Sequence, residues 1–246
     1  MESVIIPDSV SKIESCSFKD NTELKSVLIP SSVTEIGAGA FYGCTSLESI
    51  IIPCSVEIIG PHAFYGCTNL RYMVMPTIDS KMRPLTIGER AFMGCVSLES
   101  VLIPNSESVV IGPYAFSGCE KLKSFAAYNY DNPTSSNMGI GWLCKWAFCL
   151  CESLECVILP DSILHIESCA FGICKSLKSI HLPKNLFTIG EMSFYSCENL
   201  ATIELPDTVY AVYKNAFLKC PSLKTIRCSN PNALADAKLR KAIKII

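Results

Sequence analysis

The sequence of 246 residues lacks the segments that carry a protein into or across a membrane. It has no run of about 18 apolar residues, so no transmembrane helix is expected. The first residues, MESVIIPDSV, have no basic stretch followed by a long apolar one and therefore do not form a secretory signal. No Asn-x-Ser/Thr sequon is present, which favours a reducing or unglycosylated setting such as the cytoplasm.

Groups that perform catalysis or bind polyanions are also scarce. The histidines are His62, His165 and His181, and the serines fall at repeated positions. No G-x-S-x-G sequence, phosphate-binding loop or pair of catalytic carboxylates is present. The formal net charge of −2 at pH 7 gives no general attraction for nucleic acid or an anionic membrane. The sequence predicts a protein that is not an enzyme, uses no cofactor and does not bind nucleic acid.

One unit of sequence recurs along the chain, and it is clearest in LKSVLIPSSVTEIGAGAFYGCTSL, residues 24–47. Its phenylalanine returns after 23 residues in most copies, with gaps of 28, 24 and 32 residues in the middle of the chain. Repetition at about 20 to 29 residues is typical of leucine-rich solenoids. Each phenylalanine predicts one coil, and a closing segment follows the last. The anchors are Phe18, Phe41, Phe64, Phe92, Phe116, Phe148, Phe171, Phe194 and Phe217.

Each unit is predicted to contain two extended pieces. Leu24, Val27 and Ile29 follow the L-x-x-L-x-L pattern of a strand whose apolar side chains point into the core. Ser32 stands where the backbone bends, and its hydroxyl can hydrogen-bond to the turning main chain. Residues 33–36 form the second extended piece. The Ala-Phe-x-Gly-Cys segment is then predicted to be a helical turn that packs its phenylalanine inward.

Two further features of the repeat carry structural predictions. The last residues, 233–246, are predicted to form a helix that caps the final coil, because the terminal repeat of a solenoid must shield its core. The N-terminal coil shows no comparable cap, so Val4, Ile6 and Val10 are expected to be partly exposed.

A column of glycines is expected to adopt a backbone conformation that other residues avoid. Its members are Gly37, Gly60, Gly88, Gly112 and Gly190.

The 15 cysteines divide into a repeated column and a remainder. A small, soft residue repeated along a solenoid is typical of a buried packing position, so these thiols are predicted to be free. The alternative is a zinc site with His165 nearby, but no paired C-x-x-C spacing supports it, and two of its six cysteines belong to the repeated column. Its cysteines are Cys144, Cys149, Cys151, Cys156, Cys169 and Cys174. The column contains Cys44, Cys67, Cys95, Cys119, Cys151, Cys174, Cys197 and Cys220.

The unit, L-x-x-I-x-I-P-x-S-V-x-x-I-G-x-x-A-F-x-x-C, resembles the BspA-type branch of the leucine-rich repeats, and the resemblance covers residues 4–223. It implies an α/β solenoid: a right-handed superhelix of about nine to ten coils, β-rich with short helical turns and a parallel sheet on its concave face. The whole chain, 1–246, would be one domain, with repeats over 1–223 and a capping segment over 224–246. Relatives of this kind are surface proteins thought to bind host matrix proteins or partner cells.

Two insertions interrupt the repeat. One falls around residues 79–84, where a loop is expected to bulge from its coil. The other spans residues 126–143, and its Tyr128, Tyr130 and Trp142 give it the composition of an adaptable contact loop. A surface insertion without a binding role is an equally good interpretation, because long loops cost little closure entropy.

The outward positions of the first strand are the candidate binding surface. In the position after the leading leucine the sign of the charge alternates from Glu2 and Lys25 through to Glu155 and Lys178, which favours correct register. Between the inward residues, an apolar run precedes three polar residues, and exposed apolar stripes mark binding or assembly. Sheet packing alone is the structural alternative. The stripe reads Ile5, Leu28, Ile51, Val74, Leu102, Ala126, Ile158, His181, Glu204 and Arg227.

These features predict a scaffold that binds a protein partner through its concave sheet, with an accessory contact from the 126–143 loop. Leu28, Ile51 and Leu102 anchor the predicted contact. A structural, self-assembling solenoid that forms homo-oligomers is the alternative, driven either by the same stripe or by the uncapped first coil.

Overall fold

Each repeat folds into two short strands because its inward positions are apolar and its bends are closed by hydrogen bonds. A computed structural model describes residues 2–76, 83–128, 140–239 and 241–246. Successive strands pair in parallel with the equivalent strands of neighbouring coils, which produces a β-solenoid of about ten turns. The predicted repeat solenoid is therefore confirmed. No helix among the described residues is long and apolar enough to cross a membrane.

The first strands of the coils form a sheet in three segments of two, six and three strands. The segments are β1–β3, β5–β7–β9–β11–β13–β15 and β17–β19–β20. These strands are β1 (Ser3–Ile5), β3 (Ser26–Leu28), β5 (Ser49–Ile51), β7 (Tyr72–Val74), β9 (Ser100–Pro104), β11 (Ser124–Tyr128), β13 (Cys156–Ile158), β15 (Ser179–His181), β17 (Thr202–Glu204), β19 (Thr225–Arg227) and β20 (Lys244–Ile245). Their outward side is called the first face below.

The second strands form one continuous sheet of nine strands, and its outward side is called the second face. Both sheets turn their inward residues into one continuous core, which extends from Ile6 to Ala237. The second strands are β2 (Lys12–Ile13), β4 (Glu35–Ile36), β6 (Ile58–Ile59), β8 (Leu85–Ile87), β10 (Val109–Ile111), β12 (Gly141–Leu143), β14 (Ile163–Ile166), β16 (Thr188–Ile189) and β18 (Ala211–Val212).

The repeated phenylalanines turn inward as predicted, and their rings also stack along the core. From Phe18 to Phe217 each ring lies nearly parallel to the next, with ring centroids 4.9 to 5.4 Å apart and planes within 10° of each other. Phe125, from a first strand, packs edge-on against Phe116 and Phe148. Parallel rings in contact add to the apolar area that each coil buries. The stack therefore joins every coil to its neighbours.

The Ala-Phe-x-Gly-Cys segment is not helical, and the prediction of a helical turn is wrong. The residues two before and two after the phenylalanine have positive φ, as at Gly39 (60°) and Gly43 (68°), and this reversal breaks a helix. The reversal lets Phe41 N–H donate to Ala63 O of the next coil, 2.7 Å away, while Tyr42 N–H closes a turn on Gly39 O. Alternate amides thus hold adjacent coils together.

The predicted C-terminal helix over residues 233–246 is also wrong. A 3₁₀ helix covers only Pro231–Leu234, and β20 adds a parallel strand beside β19. Directly after that strand, Ile246 N–H donates to Ile226 O over 3.0 Å, which satisfies backbone groups at the edge of the sheet. The segment therefore covers the last coil by strand pairing rather than by helix packing.

At the N-terminal end, Val4 and Val10 are half-buried while Ile6 is buried, so the expected partial exposure holds for the two valines.

The glycine column owes its composition to close backbone contact. The φ of Gly112 is not in the left-handed region, so the expected unusual backbone conformation is wrong. A Cβ atom on Gly112 would lie 2.8 Å from the carbonyl carbon of Gly88 and 2.9 Å from Glu89 N in the preceding coil. No side chain fits between the two main chains there, and the same holds at Gly37 and Gly60.

The larger insertion falls in the sequence between β11 and β12, and the coils on either side of it contact each other directly. Asn105 Nδ2 donates to Asp161 Oδ2 over 2.9 Å, and Asp161 N–H donates back to Asn105 Oδ1 over 2.8 Å. Tyr130 and most of the smaller loop, 79–82, lie outside the described residues.

Ser193 is expected to be a destabilising residue. It occupies the position that alanine takes in most coils, where it is fully buried, and its Oγ has no hydrogen-bond partner among the described residues. Replacing a buried, unsatisfied hydroxyl with a methyl group removes its desolvation penalty. We expect Ser193→Ala to raise the free energy of unfolding by about 1 to 3 kcal/mol in urea denaturation. Ser162→Ala, which removes a hydroxyl that accepts from Val109 N–H, is expected to lower it.

Candidate functional site

The apolar stripe lies on the first face in the predicted register. Parallel pairing places Ile5 beside Leu28, and a second continuous series runs from Ile51 through Val74, Leu102, Ala126 and Ile158 to His181. Neighbours in such a series are about 5 Å apart. The exposed fraction is 75% at Ile5, 62% at Leu28 and Ile51, and 45% at Ile158. The middle members are half-buried.

The C-terminal end of the stripe is polar. His181, Glu204 and Arg227 are exposed, and Glu204 and Arg227 face each other across β17 and β19. Arg227 Nη1 lies 3.8 Å from Glu204 Oε2. The first face therefore changes from an apolar surface to a polar one along the solenoid.

The alternating charges form ion pairs within the first face. Lys25 Nζ lies 3.3 Å from Glu2 Oε2, and Lys178 Nζ lies 2.7 Å from Glu155 Oε2. The Lys178 hydrogen bond lowers the pKa of the Glu155 carboxyl below its ordinary value. Because these charges neutralise one another, the apolar stripe is bordered by a surface with little net charge. The series also includes Glu48, Arg71, Glu99 and Lys123, and within it Arg71 pairs with Glu99.

The predicted accessory residues do not share one surface. Tyr128 ends β11 on the first face, where its hydroxyl donates to Met75 O over 2.6 Å. Trp142 lies in β12, on the second face. The prediction that Trp142 makes an accessory contact beside the stripe is therefore wrong. The insertion connects β11, a first strand, to β12, a second strand, so Tyr128 and Trp142 lie on different sheets. Tyr130 is outside the described residues.

The cysteine column is buried, and all 15 cysteines are free. Each Sγ in the column lies within hydrogen-bonding distance of the carbonyl of the phenylalanine one coil earlier, for example Cys44 to Phe18 O at 3.0 Å and Cys119 to Phe92 O at 3.3 Å. Burial raises the pKa of Cys44 to about 11 and that of Cys95 to about 12. These thiols are structural rather than reactive.

The residues of the alternative zinc site do not lie close together. Among the described residues no group of three His, Cys, Asp or Glu side chains lies close enough to hold a metal ion. Cys149 and Cys169 are buried, although they lie outside the repeated column. His165 is engaged elsewhere, because its Nδ1 is 2.8 Å from Thr188 Oγ1 on the next strand.

Sequence reasoning missed an aromatic surface on the second face. The Trp142 indole stacks on the His165 imidazole with ring centroids 4.2 Å apart, and the Phe187 ring stacks on that of Tyr210 at 5.4 Å. Phe187, Tyr210 and Tyr213 are exposed by 46%, 70% and 49%. The signal was present in the residues that flank the second strands, since Phe187 and Tyr210 directly precede β16 and β18 and Tyr213 directly follows β18.

Known proteins match the chain through its repeats. A family model described as "BspA type Leucine rich repeat region" matches in six copies, over residues 1–123, 85–137 and 143–238. No curated protein matches the chain. Among solved structures, a leucine rich cell surface protein from Faecalibacterium prausnitzii is 25% identical with a TM-score of 0.42, and the match covers 100% of this chain and 78% of that one.

Two other solved structures have similar values. A leucine-rich repeat protein from Bacteroides ovatus is 23% identical with a TM-score of 0.40, and the match covers 100% of this chain and 77% of that chain. The pneumococcal vaccine antigen PcpA is also 23% identical, with a TM-score of 0.45, over 93% of this chain and 62% of that chain.

Proposed function

The chain belongs to the BspA-type leucine-rich repeat family, and from this premise we propose that it is a non-enzymatic scaffold that binds a protein partner through its first face. The proposed setting is adhesion or cell-surface recognition, with a host or extracellular matrix protein as the partner class that the family resemblance implies. The binding residues are Leu28, Ile51, Val74, Leu102, Ile158, His181, Glu204 and Arg227, with Tyr128 at the edge.

The exposure of the stripe is the observation that carries this proposal. Leu28 and Ile51 are each 62% exposed, whereas the inward residues next to them, Val27 and Ile50, are buried. Their side chains contribute nothing to the core beneath them, because Val27 and Ile50 fill the inward positions. An exposed apolar series of this length is costly in water unless a partner covers it.

The surroundings of the stripe indicate an apolar partner surface. The neighbouring acidic and basic side chains pair with one another, as at Lys25 with Glu2 and Lys178 with Glu155. A highly charged partner would have to break these pairs to gain contacts of its own. An apolar patch gains the burial of Leu28 and Ile51 while it leaves the pairs intact at the rim.

Replacing Leu28, Ile51 and Ile158 together with serine is expected to remove partner capture while leaving thermal unfolding nearly unchanged. All three side chains are exposed, so their loss costs little folding energy. Capture from an extract of candidate partner cells or matrix, followed by mass spectrometry, compares the variant with the parent protein. A matched variant with serine at Ile58, Leu150 and Leu218, which are similarly exposed outside the first face, should capture normally. Equal capture by the parent and the first-face variant contradicts the proposal.

Self-assembly is the second candidate, and the position of Ile5 favours testing it. Ile5 is 75% exposed on β1, which within the described residues pairs only with β3. A second copy that covered the stripe would make the solenoid a homo-oligomer without an external ligand. Light scattering over a concentration series separates the two functions: a monomer at all concentrations supports the external partner, whereas an oligomer that the serine variant abolishes supports self-assembly.

A further inference from the structure

The second face contains a groove at the coils that follow the larger insertion. Parallel pairing places Trp142, His165 and Thr188 side by side on β12, β14 and β16. The next outward column contains Glu167, Gly190 and Tyr213, which follow those strands and β18. Gly190 lines the groove with its main chain, which packs directly against the backbone of Glu167 and Ser168 in the preceding coil.

The groove has a volume of about 480 Å³ and is open to solvent. Two exposed aromatic side chains line it: the indole of Trp142, one face of which the His165 imidazole covers, and the phenol of Tyr213. Trp142 is 37% exposed and Tyr213 is 49% exposed. A volume of this size accommodates one large side chain with the adjoining backbone rather than a folded domain.

Two carboxylates line the same groove without an ion-pair partner. Glu167 Oε2 accepts a hydrogen bond from Lys145 N–H at 2.8 Å, and no ion pair involves Glu167 or Glu191 within the part of the chain that the structure describes. On the first face, by contrast, Glu2, Glu99 and Glu155 of the charge series pair with lysine or arginine. Lys145 also lines the groove but pairs with neither carboxylate.

Aromatic rings next to unpaired carboxylates are complementary to a cation. The face of an aromatic ring carries partial negative charge, so it attracts ammonium and guanidinium groups. Guanidinium fits best, because it stacks flat on an aromatic ring and donates to a carboxylate with two N–H groups at once. We propose that this groove binds an arginine side chain of a peptide, and that it is a second recognition site, separate from the apolar stripe.

A short arginine peptide tests the site directly. The probe is acetyl-Gly-Arg-Gly-amide, and its control is the same peptide with citrulline, which has nearly the same shape but no charge. Trp142 and Trp146 are the two tryptophans of the chain, so Trp146→Phe leaves Trp142 as the sole fluorescent reporter in the groove. At low ionic strength the arginine peptide is expected to bind at least tenfold more tightly than the citrulline peptide, with a lysine peptide between them.

Substitution of the carboxylates distinguishes binding of the peptide in this groove from non-specific electrostatic attraction to the protein surface. Glu167→Gln with Glu191→Gln is expected to weaken binding of the arginine peptide at least tenfold, with unchanged thermal unfolding. Glu152→Gln is the control, since Glu152 pairs with Lys175 outside the groove. Equal binding of the citrulline peptide overturns the proposal, as does equal weakening in the control or no binding of the arginine peptide. The serine variant of the first face should bind the arginine peptide normally, so failure of the proposed function and failure of this site are distinguishable.

Discussion

Above about pH 9 the protein is expected to lose its stability within roughly one pH unit. Burial raises the pKa of the column thiols, which reaches about 12 at Cys95 and stands well above the ordinary value at Cys67, Cys119, Cys174 and Cys197. In the unfolded chain the same thiols ionise near pH 8.5. The folded state therefore holds more protons than the unfolded state at pH 9 to 11. Its stability is complete below about pH 8.5 and falls as the pH rises toward the folded pKa values.

The expected size of this effect follows from the number of fully buried thiols. Each contributes about 1.4 kcal/mol per pH unit once the unfolded thiol is ionised and the folded one is not. Six such thiols, the five named above and Cys151, give about 8 kcal/mol per pH unit, which is comparable with the whole stability of a typical domain. Urea denaturation under reducing conditions at several pH values measures the slope.

A single cysteine substitution isolates the cause of the alkaline unfolding. Cys119→Ala is expected to make the fall in the free energy of unfolding between pH 9 and 10 smaller by about 1.4 kcal/mol per pH unit. The variant lacks one thiol that is protonated in the folded state and ionised in the unfolded state. Cys156→Ala, at an exposed position of β13, should leave the slope unchanged. A stability that stays flat from pH 8 to 10, or a slope that Cys119→Ala does not alter, contradicts the explanation.

Loss of one ring from the middle of the phenylalanine stack is the second large expected effect. Phe116 is completely buried, lies between Phe92 and Phe148 at 5.1 and 5.2 Å, and meets Phe125 edge-on. Phe116→Ala would leave a cavity that its rigidly paired neighbours cannot close. We expect the free energy of unfolding to fall by about 3 to 5 kcal/mol in urea denaturation.

The end of the same stack supplies the matched control. Phe18 is half-buried, and Phe41 is its one neighbour in the stack, at 5.1 Å. Phe18→Ala is therefore expected to cost less than half as much as Phe116→Ala. Equal losses at the two positions would mean that the stack does not join the coils as described, since only the number of ring neighbours and the burial differ.

The core of the solenoid could be predicted because every coil repeats it. The spacing of the phenylalanines located the stack, and the cysteines at a fixed distance from them located the thiol column. The register of the first strands could be predicted as well. Because equivalent residues of successive coils occupy equivalent strand positions, the sequence alone places Leu28 and Ile51 on one outward stripe. In each case the same side-chain chemistry recurs at the same position, and such recurrence is visible in a sequence.

The turns and the C-terminal segment could not be predicted because different residues adopt the same backbone there. Gly43, Leu150 and Ile173 all have positive φ at the same position of the turn, so the usual glycine signal is present in some coils only. Residues 235–246 have high helix propensity, but Lys244 and Ile245 pair in parallel with the open edge of β19 instead. The groove on the second face was missed because its lining residues differ from coil to coil at equivalent positions, as Glu167, Gly190 and Tyr213 do, so no recurring chemistry marks it in the sequence.

The most direct test of the central claim, that the first face receives the partner, is photo-crosslinking from single positions. Benzoylphenylalanine replaces Leu28 or Ile158 on the first face, and Ile58 on the second face serves as the control, since all three are exposed. The account predicts crosslinks to one and the same external protein from positions 28 and 158, and none from position 58. Crosslinks that join only copies of the chain, or that form equally from position 58, would contradict it.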